Sequence, residues 1–572
     1  MLLNRKLLSV ALGAVAALPS AGALAQESSA QDTGGLLDEI VVTAQRRAEK
    51  VQDVPIAISA FSADQLEKLN VTDALSIGKL IPNLLAFSNT GISTANSYYL
   101  RGIGNTESIA TFDPPVGTYA DDVYISRQNG NNLGLFDVDR IEVLRGPQGT
   151  LFGRNTTGGA VNIILRKPAE EFGGYLEAGF GQFNKQTVRG SVDVPISDRF
   201  LTKFSGYYVE DDGYVSNPVT GEDDLNRTDT FGLRAAFRWL ATDSVTWDLS
   251  AQYIEDNGLN MLNFAAGPGG VAYRNGQVGG PLVPIAAGGV QVDLISWRAG
   301  LAPTSPSAQS VEARCGGTIT RSRFACTGMR QTGTPLAGLI TGSKANLNLG
   351  NKVENTFITS NVQVETGLGE LSFITGYVDL TQEFAIDFFN GNLLRNTSAT
   401  NGVALGAPIP VDPVGGFVIA NVGEHKQLSQ EIKLNGELNE SIRYVAGAYY
   451  LDESNKTDFA DIFGITVPVA GSVIPVSLVL EDRILQNDVK AWAAYTQWDV
   501  TFADAFTLTV GGRYTDETKE VAFTPNPNPR IATPIANRVS SANLVAAGIP
   551  LELNTKLFTP RVALKYDINP DV

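Results

Sequence analysis

Thr230-Phe-Gly-Leu-Arg-Ala-Ala-Phe-Arg-Trp239 alternates from its first residue to its last. Phe231, Leu233, Ala235, Phe237 and Trp239 share one face, and Thr230, Gly232, Arg234, Ala236 and Arg238 share the other. That is the two-residue period of a strand with one apolar and one polar side. The tract from Val245 repeats it, as does Leu428–Leu438, where Leu428, Ile432, Leu434 and Leu438 oppose Ser429, Glu431, Lys433, Asn435 and Glu437. Similar tracts begin near Gly174, Lys185, Phe200, Thr356, Glu370, Ile442, Ala491, Phe506 and Lys556. Alternating tracts of about 10–14 residues with aromatics toward their ends mark outer-membrane barrel strands. A soluble sandwich or propeller also alternates, but its strands average about 5–6 residues. Short links (Ile196–Arg199, Glu437–Ser441) interleave with long Gly/Asn/Pro-rich ones near 256–352 and 383–424, which is the turn-and-loop asymmetry of a barrel.

A leader precedes these tracts. Arg5 and Lys6 stand before an apolar run, Leu7–Leu18, and small residues ending in Ala23-Leu-Ala25. This is the order of a secretory signal cleaved after Ala25, and the run is shorter than the ~20 residues of a spanning helix. Export favours thiol oxidation, so a loop disulfide between Cys315 and Cys326 is expected. The 572 residues hold 43 Lys+Arg against 60 Asp+Glu, a net charge of -17, which argues against nucleic acid as a partner. One His and two Cys exclude most zinc sites and His-based triads. No metal site or cofactor is expected. No carboxylate lies on a motif pairing nucleophile with base, so neither is an enzyme.

Between Asp38 and Pro168 the pattern is mixed. Asp64–Leu69 and Thr72–Ile81 read as short helices, the second capped by Thr72 and stopped by Pro82. Ser97–Arg101, Val116–Tyr119, Ile141–Leu144 and Ala160–Leu165 read as strands. The densest tract is Asp139-Arg-Ile-Glu-Val-Leu-Arg-Gly-Pro-Gln-Gly-Thr-Leu-Phe-Gly-Arg-Asn-Thr-Thr-Gly-Gly-Ala-Val-Asn-Ile163. It reads as strand, Gly/Pro turn, Gly-rich loop and strand, and it lacks the G-x-x-x-x-G-K-[ST] of a phosphate cradle. This tract closely resembles the plug domain of TonB-dependent outer-membrane receptors. Glu39-Ile-Val-Val-Thr-Ala44 resembles that family's TonB box, Asp53–Ser59 its first plug strand, Leu100-Arg-Gly102 its mid-plug turn, and Val116–Tyr124 the following strand pair.

The resemblance implies a mainly β protein, with an N-terminal mixed α/β plug inside an antiparallel transmembrane β-barrel of about 22 strands. Roughly 12 of these are encoded here. The expected divisions are a signal peptide at 1–25, a periplasmic extension with the box at 26–45, a plug at 46–170 and an incomplete barrel at 171–572. It further implies a Gram-negative outer-membrane importer that binds a scarce ligand outside and is worked by TonB, with ExbB–ExbD, pulling on the box. Outer-membrane lipid and the barrel-assembly machinery are the other implied partners. Glu39, Ile40, Val41, Val42, Thr43 and Ala44 form the box; Ile40–Thr43 is β-prone and suited to adding as a strand to a partner's sheet edge. Family plug arginines pair with wall glutamates, which points to Arg101 and Arg145 with the inward-facing Glu431. A ferric siderophore is the family's commonest cargo. Cobalamin, nickel complexes, oligosaccharides and aromatic compounds are alternatives, and haem is disfavoured because His425 is the one histidine. His425 is expected at a strand opening, hydrogen-bonded at the surface. Tyr98, Tyr99 and Phe112, near the plug apex, are the candidate ligand contacts, and Asp121-Asp122 reads as a turn. A passive porin is the competing class, though it needs neither plug nor box. The short stretch between Ala25 and Asp38 leaves no room for a signalling domain, so transport alone is expected.

Twelve strands ~4.8 Å apart and tilted by about 40° close to a diameter near ~24 Å. A plug of about 120 residues is roughly 35 Å across. The expectation is therefore an N-terminal portion of a longer barrel, whose final tract, Leu557–Ile568, needs a further neighbour in lipid.

Overall fold

A computed structural model describes residues 40–259, 350–387, 417–525 and 540–566 apart from short gaps, with five short strand pieces between them. The leader, Glu39, Thr72, Cys315, Cys326 and most of the two long loops lie outside the described residues.

The small hairpin of β1 (Val41–Val42) and β2 (Glu49–Lys50) comes first. β3 (Ile58–Ser62) runs into α1 (Ala63–Lys68), where Ser62 and Gln65 each accept the other's backbone N–H. Then come the pair β4 (Leu84–Ser88) and β5 (Asn96–Leu100), the hairpin β6 (Val116–Ala120) and β7 (Val123–Ile125), and the pair β8 (Val138–Arg145) and β9 (Gly159–Leu165). The plug sheet runs β3-β8-β9-β6-β7, with β6 parallel to β9. Leu66, Ile77, Leu100, Ile141, Val143, Val161 and Ile163 close its core. The second expected helix is instead a single 3-10 turn, Ser76–Lys79. The Asp73 carboxylate accepts the Ser76 N–H at 2.8 Å, a local bond that competes with helix, and Gly78 lies against Ala86 so closely that a Cβ would sit 2.8 Å from it.

Among the described residues twelve long strands form the wall, each antiparallel to the next in sequence. They are β10 (Gly173–Phe180), β11 (Gln186–Ser197), β12 (Phe200–Glu210), β13 (Asp229–Thr242), β14 (Val245–Asp256), β15 (Gly350–Thr366), β16 (Gly369–Asp387), β17 (Phe417–Asn439), β18 (Ile442–Val469), β19 (Ser472–Phe502), β20 (Phe506–Pro525) and β21 (Glu552–Tyr566). The alternation holds: Leu233, Trp239, Leu428 and Ile432 are exposed, while Arg234, Ala236, Ser429, Glu431 and Lys433 are buried. Several strands outrun the expected length, β19 reaching 31 residues, because pairing continues past the ~9–11 residues that cross a bilayer. Connections are two or three residues at one end (after β11, β13, β15, β17, β19) and mostly longer at the other. Aromatics gather near the short turns, with Trp239 on Trp247, Tyr444 on Trp498 and Phe502 on Phe506, as in an interfacial girdle. Among the described residues no helix is long and apolar enough to cross a membrane.

The wall wraps the plug, touching it from Ser205 on β12 to Thr559 on β21. One contact is apolar: Ala120, Val123 and Ile125 pack on Ile254, Phe357, Ile374 and Val378. There a Cβ on Gly376 would lie 2.2 Å from Val123. Gly376→Val should therefore push the β6–β7 hairpin off the wall at a cost of about 1–3 kcal/mol, read as faster proteolysis of the plug with the wall strands intact.

Candidate functional site

The seam between plug and wall gathers the buried charge. Its lower part, at the short-turn end, is the segment after Val41. Val41 is half-exposed, whereas Val42, Ala44, Gln45 and Arg46 are buried. Thr43 donates its N–H to Glu142 Oε1 at 2.8 Å and receives a bond from Asn162 at 3.3 Å. Burial pushes the Glu142 carboxyl up, against the pull of Arg140 and Thr43. Gln45 accepts from Gln497 at 2.7 Å, Asn435 donates to the Arg46 carbonyl at 3.0 Å, and Arg47 pairs with Glu49 and Asp499.

Arg46 is the centre. Its backbone is left-handed (φ 61°), an uncommon state for a side-chain-bearing residue. Its guanidinium meets Asp122 at 2.9 Å and lies over Phe152 and Tyr119, 4.4 and 5.2 Å from the ring centroids. Lys433 of the wall reaches the same Asp122 at 3.2 Å. Asp121 and Asp122 both have positive φ and form the two-residue β6–β7 turn. Burial alone would raise the Asp122 carboxyl, but Lys433 and Arg46 outweigh it and hold it well below the usual carboxylate range.

Two further clusters stitch the seam. Asp137, itself left-handed (φ 61°), takes Arg234 at 2.5 Å, Lys203 at 3.5 Å and the Ser205 hydroxyl at 2.7 Å, all on β12 and β13. Toward the other end, Asp113 pairs with Arg127, Arg154 and Lys519, Arg127 with Glu453, and Arg154 with Glu517. Burial raises the Asp113 carboxyl, yet the three cations together keep it below the usual range.

The expected lock is rearranged. Glu431 faces inward, but it accepts from the Tyr495 hydroxyl and lies in the field of Arg46. Arg145 instead reaches the Ile58 carbonyl at 3.5 Å, and Arg101 is an exposed turn residue with positive φ. Both stand at the ends of plug strands, Arg101 just after β5 and Arg145 closing β8. Among the described residues the plug cations that pair with wall carboxylates are Arg47 with Asp499, Arg127 with Glu453, Arg154 with Glu517 and Lys167 with Asp248, and the Arg46-Arg47 doublet beside the expected box was the available signal. Among the aromatics, Tyr98 is a core residue receiving a bond from Asn96. Tyr99 stacks on Phe87, and only Phe112 is well exposed. His425 lies buried within β17, not at a strand opening, and shares a 2.7 Å bond with Asn455.

A family model described as "TonB-dependent Receptor Plug Domain" matches residues 50–160, and one described as "TonB dependent receptor-like, beta-barrel" matches 316–572. The pesticin receptor of Yersinia pestis is 30% identical over 226 residues, 39% of this chain and 32% of that protein. The vitamin B12 transporter BtuB of Vibrio vulnificus is 26% identical over 225 residues, 39% of this chain and 35% of its own. The solved ferric yersiniabactin uptake receptor FyuA of Yersinia pestis superposes with a TM-score of 0.59 at 17% identity, over 90% of this chain and 62% of that one. The chain thus spans about a third of the curated relatives' length in these alignments.

Because the Asp122 carboxyl is depressed in the fold, its stabilisation is complete above the unfolded value of about 4 and is lost as pH falls through the folded one. Protease resistance of the Val42–Arg47 segment should be flat from about pH 8 to 5 and fall below about 4. Asp122→Asn, which strands Arg46 and Lys433, should lower it at neutral pH by about 2–3 kcal/mol, less than a fully buried pair would cost, and flatten the acid limb.

Proposed function

The chain belongs to the TonB-dependent receptor family, and we propose that it is an energy-coupled importer of a ferric siderophore. The family is one of outer-membrane receptors rather than enzymes, and its members cross the membrane as strands. What supports the reading is the state of Val42–Arg47: a strand end and turn of a small hairpin, held inside the wall by polar bonds, whose β-prone first residues could be exchanged onto a partner's strand edge. A plug bound this way blocks the lumen until something removes it, and TonB, energised through ExbB–ExbD, is the partner we assign to that task. Iron as cargo is supported by the likeness to the ferric yersiniabactin uptake receptor FyuA and to the iron-regulated outer membrane virulence protein of Vibrio cholerae. Cobalamin is the second reading, favoured by the match to BtuB.

Deleting Glu39–Ala44 should abolish uptake of a radio-iron siderophore while leaving its surface binding within about twofold. Collapse of proton-motive force should have the same effect in the intact receptor. Uptake that survives both would mark a passive pore, and growth rescued by cobalamin but by no iron source would decide for the second reading.

A further inference from the structure

His425, the chain's one histidine, is 4% exposed on the inner face of β17. Its Nδ1 lies 2.7 Å from Asn455 Oδ1. Asn455 Nδ2 donates to Glu453 Oε1 at 2.7 Å and to the Asn487 carbonyl at 3.0 Å. Both partners are acceptors, so Asn455 Oδ1 is left to accept and His425 Nδ1 must donate. The tautomer is thereby fixed. Nε2 carries the lone pair, and it is buried with no hydrogen-bond partner. Glu453 Oε1 stands 4.0 Å from Nδ1 of the ring, and Glu453 Oε2 is likewise buried without a hydrogen bond.

The same Glu453 holds Arg127 of the plug. Arg127 donates in turn to the Phe112 carbonyl at 3.1 Å and meets Asp113 at 3.3 Å, so it fixes the segment that presents the exposed Phe112 ring. Beside it Arg154 and Lys519 each pair with Asp113 and Glu517. Three cations thus face three carboxylates while His425 is neutral. The inward neighbours of His425 on β16, namely Val378, Leu380 and Gln382, are uncharged. Asp379 and Lys426, and Glu424 and Lys456, are paired on the outer face.

A proton on Nε2 adds a fourth cation to a balanced cluster largely withdrawn from water, where an uncompensated charge is costly. Glu453 is the carboxylate beside the ring, and Arg127 is the cation that it holds, so the competition falls on that pair. We propose that His425 is a proton-operated latch on the plug: a proton taken up at Nε2 draws Glu453 to the imidazolium and frees Arg127 together with the Phe112–Asp113 segment. Loss of the proton to water restores the pairing. Histidine is the side chain whose ordinary titration falls between about pH 5 and 8, so mild acid is enough to work it. For an importer the consequence is a plug surface that is firm near neutral pH and slack in acid. That consequence rests on the importer reading, and the latch itself does not.

The test follows a nitroxide on Phe112→Cys in the full chain, with Cys315→Ser and Cys326→Ser, in detergent and without cargo. The mobile fraction of its spectrum should rise at least about threefold from about pH 7.5 to about 5. His425→Gln should hold it at the low value throughout. Glu453→Gln removes one carboxylate, which leaves the same excess of positive charge without a proton, and should give the high value already at neutral pH. A parent protein that does not respond to acid, an acid response that survives in His425→Gln, or a low value in Glu453→Gln at neutral pH overturns the proposal. If all three behave as expected while siderophore uptake fails, the importer reading is at fault and the latch stands.

Discussion

A guanidinium taken out of water must be met on every side, and Arg46 is met by Asp122, by the faces of Phe152 and Tyr119, and by the field of Glu431. Each contact comes from a different part of the structure: the β6–β7 turn, the Gly-rich loop, the plug sheet and the wall. Removing one partner of a fully buried pair typically costs about 3–5 kcal/mol, because the other is left charged and unpaired, and less where, as here, the Asp122 carboxylate keeps some contact with water. Drawing Arg46 into water rehydrates the guanidinium, and Lys433 stays behind to pair with Asp122. The arrangement is thus strong against loosening in place and weak against extraction along the chain.

The β6–β7 hairpin ties this centre to the far end of the seam. Its turn presents Asp122 to Arg46, and its two open ends lead to Asp113 and Arg127, both in the second charge cluster. Five extended residues span about 17 Å, and the hairpin's apolar residues are packed on β14–β16. A short, packed hairpin moves as one body. Any displacement of Asp113 from Arg127, Arg154 and Lys519 is accordingly felt at the turn that holds Arg46.

Much of this was legible in the sequence, and the limit was physical. Strand parity alone assigned Glu431, Lys433 and Arg234 to the inner face, because a period of two leaves no other choice once one face is apolar. The two aspartates of the β6–β7 turn were legible from the family resemblance, which has a turn there, and from the aptness of Asp for turns. Partnership was not. Which cation meets Glu431 depends on how the plug is rotated within the wall, a relation between segments hundreds of residues apart, so Arg145 was a plausible choice and Arg46 the actual neighbour. Tyr98 and Tyr99 show the smaller version of the problem: adjacent in sequence and opposite in facing, they could be told apart only once it was known which side of β5 meets the plug core.

The two ends of the plug are also loaded differently when the chain is pulled from its N-terminus. The bonds of Val42, Thr43, Gln45, Arg46 and Arg47 follow one another along a single segment. Tension reaches them in turn, so each resists alone, at about 0.5–1.5 kcal/mol for a neutral hydrogen bond and more for the charged ones. Asp137 is held by Arg234, Lys203 and Ser205 together, so its bonds must fail at once. A pull from the N-terminus would therefore peel Val42–Arg47 away before it disturbed the Asp137 anchor.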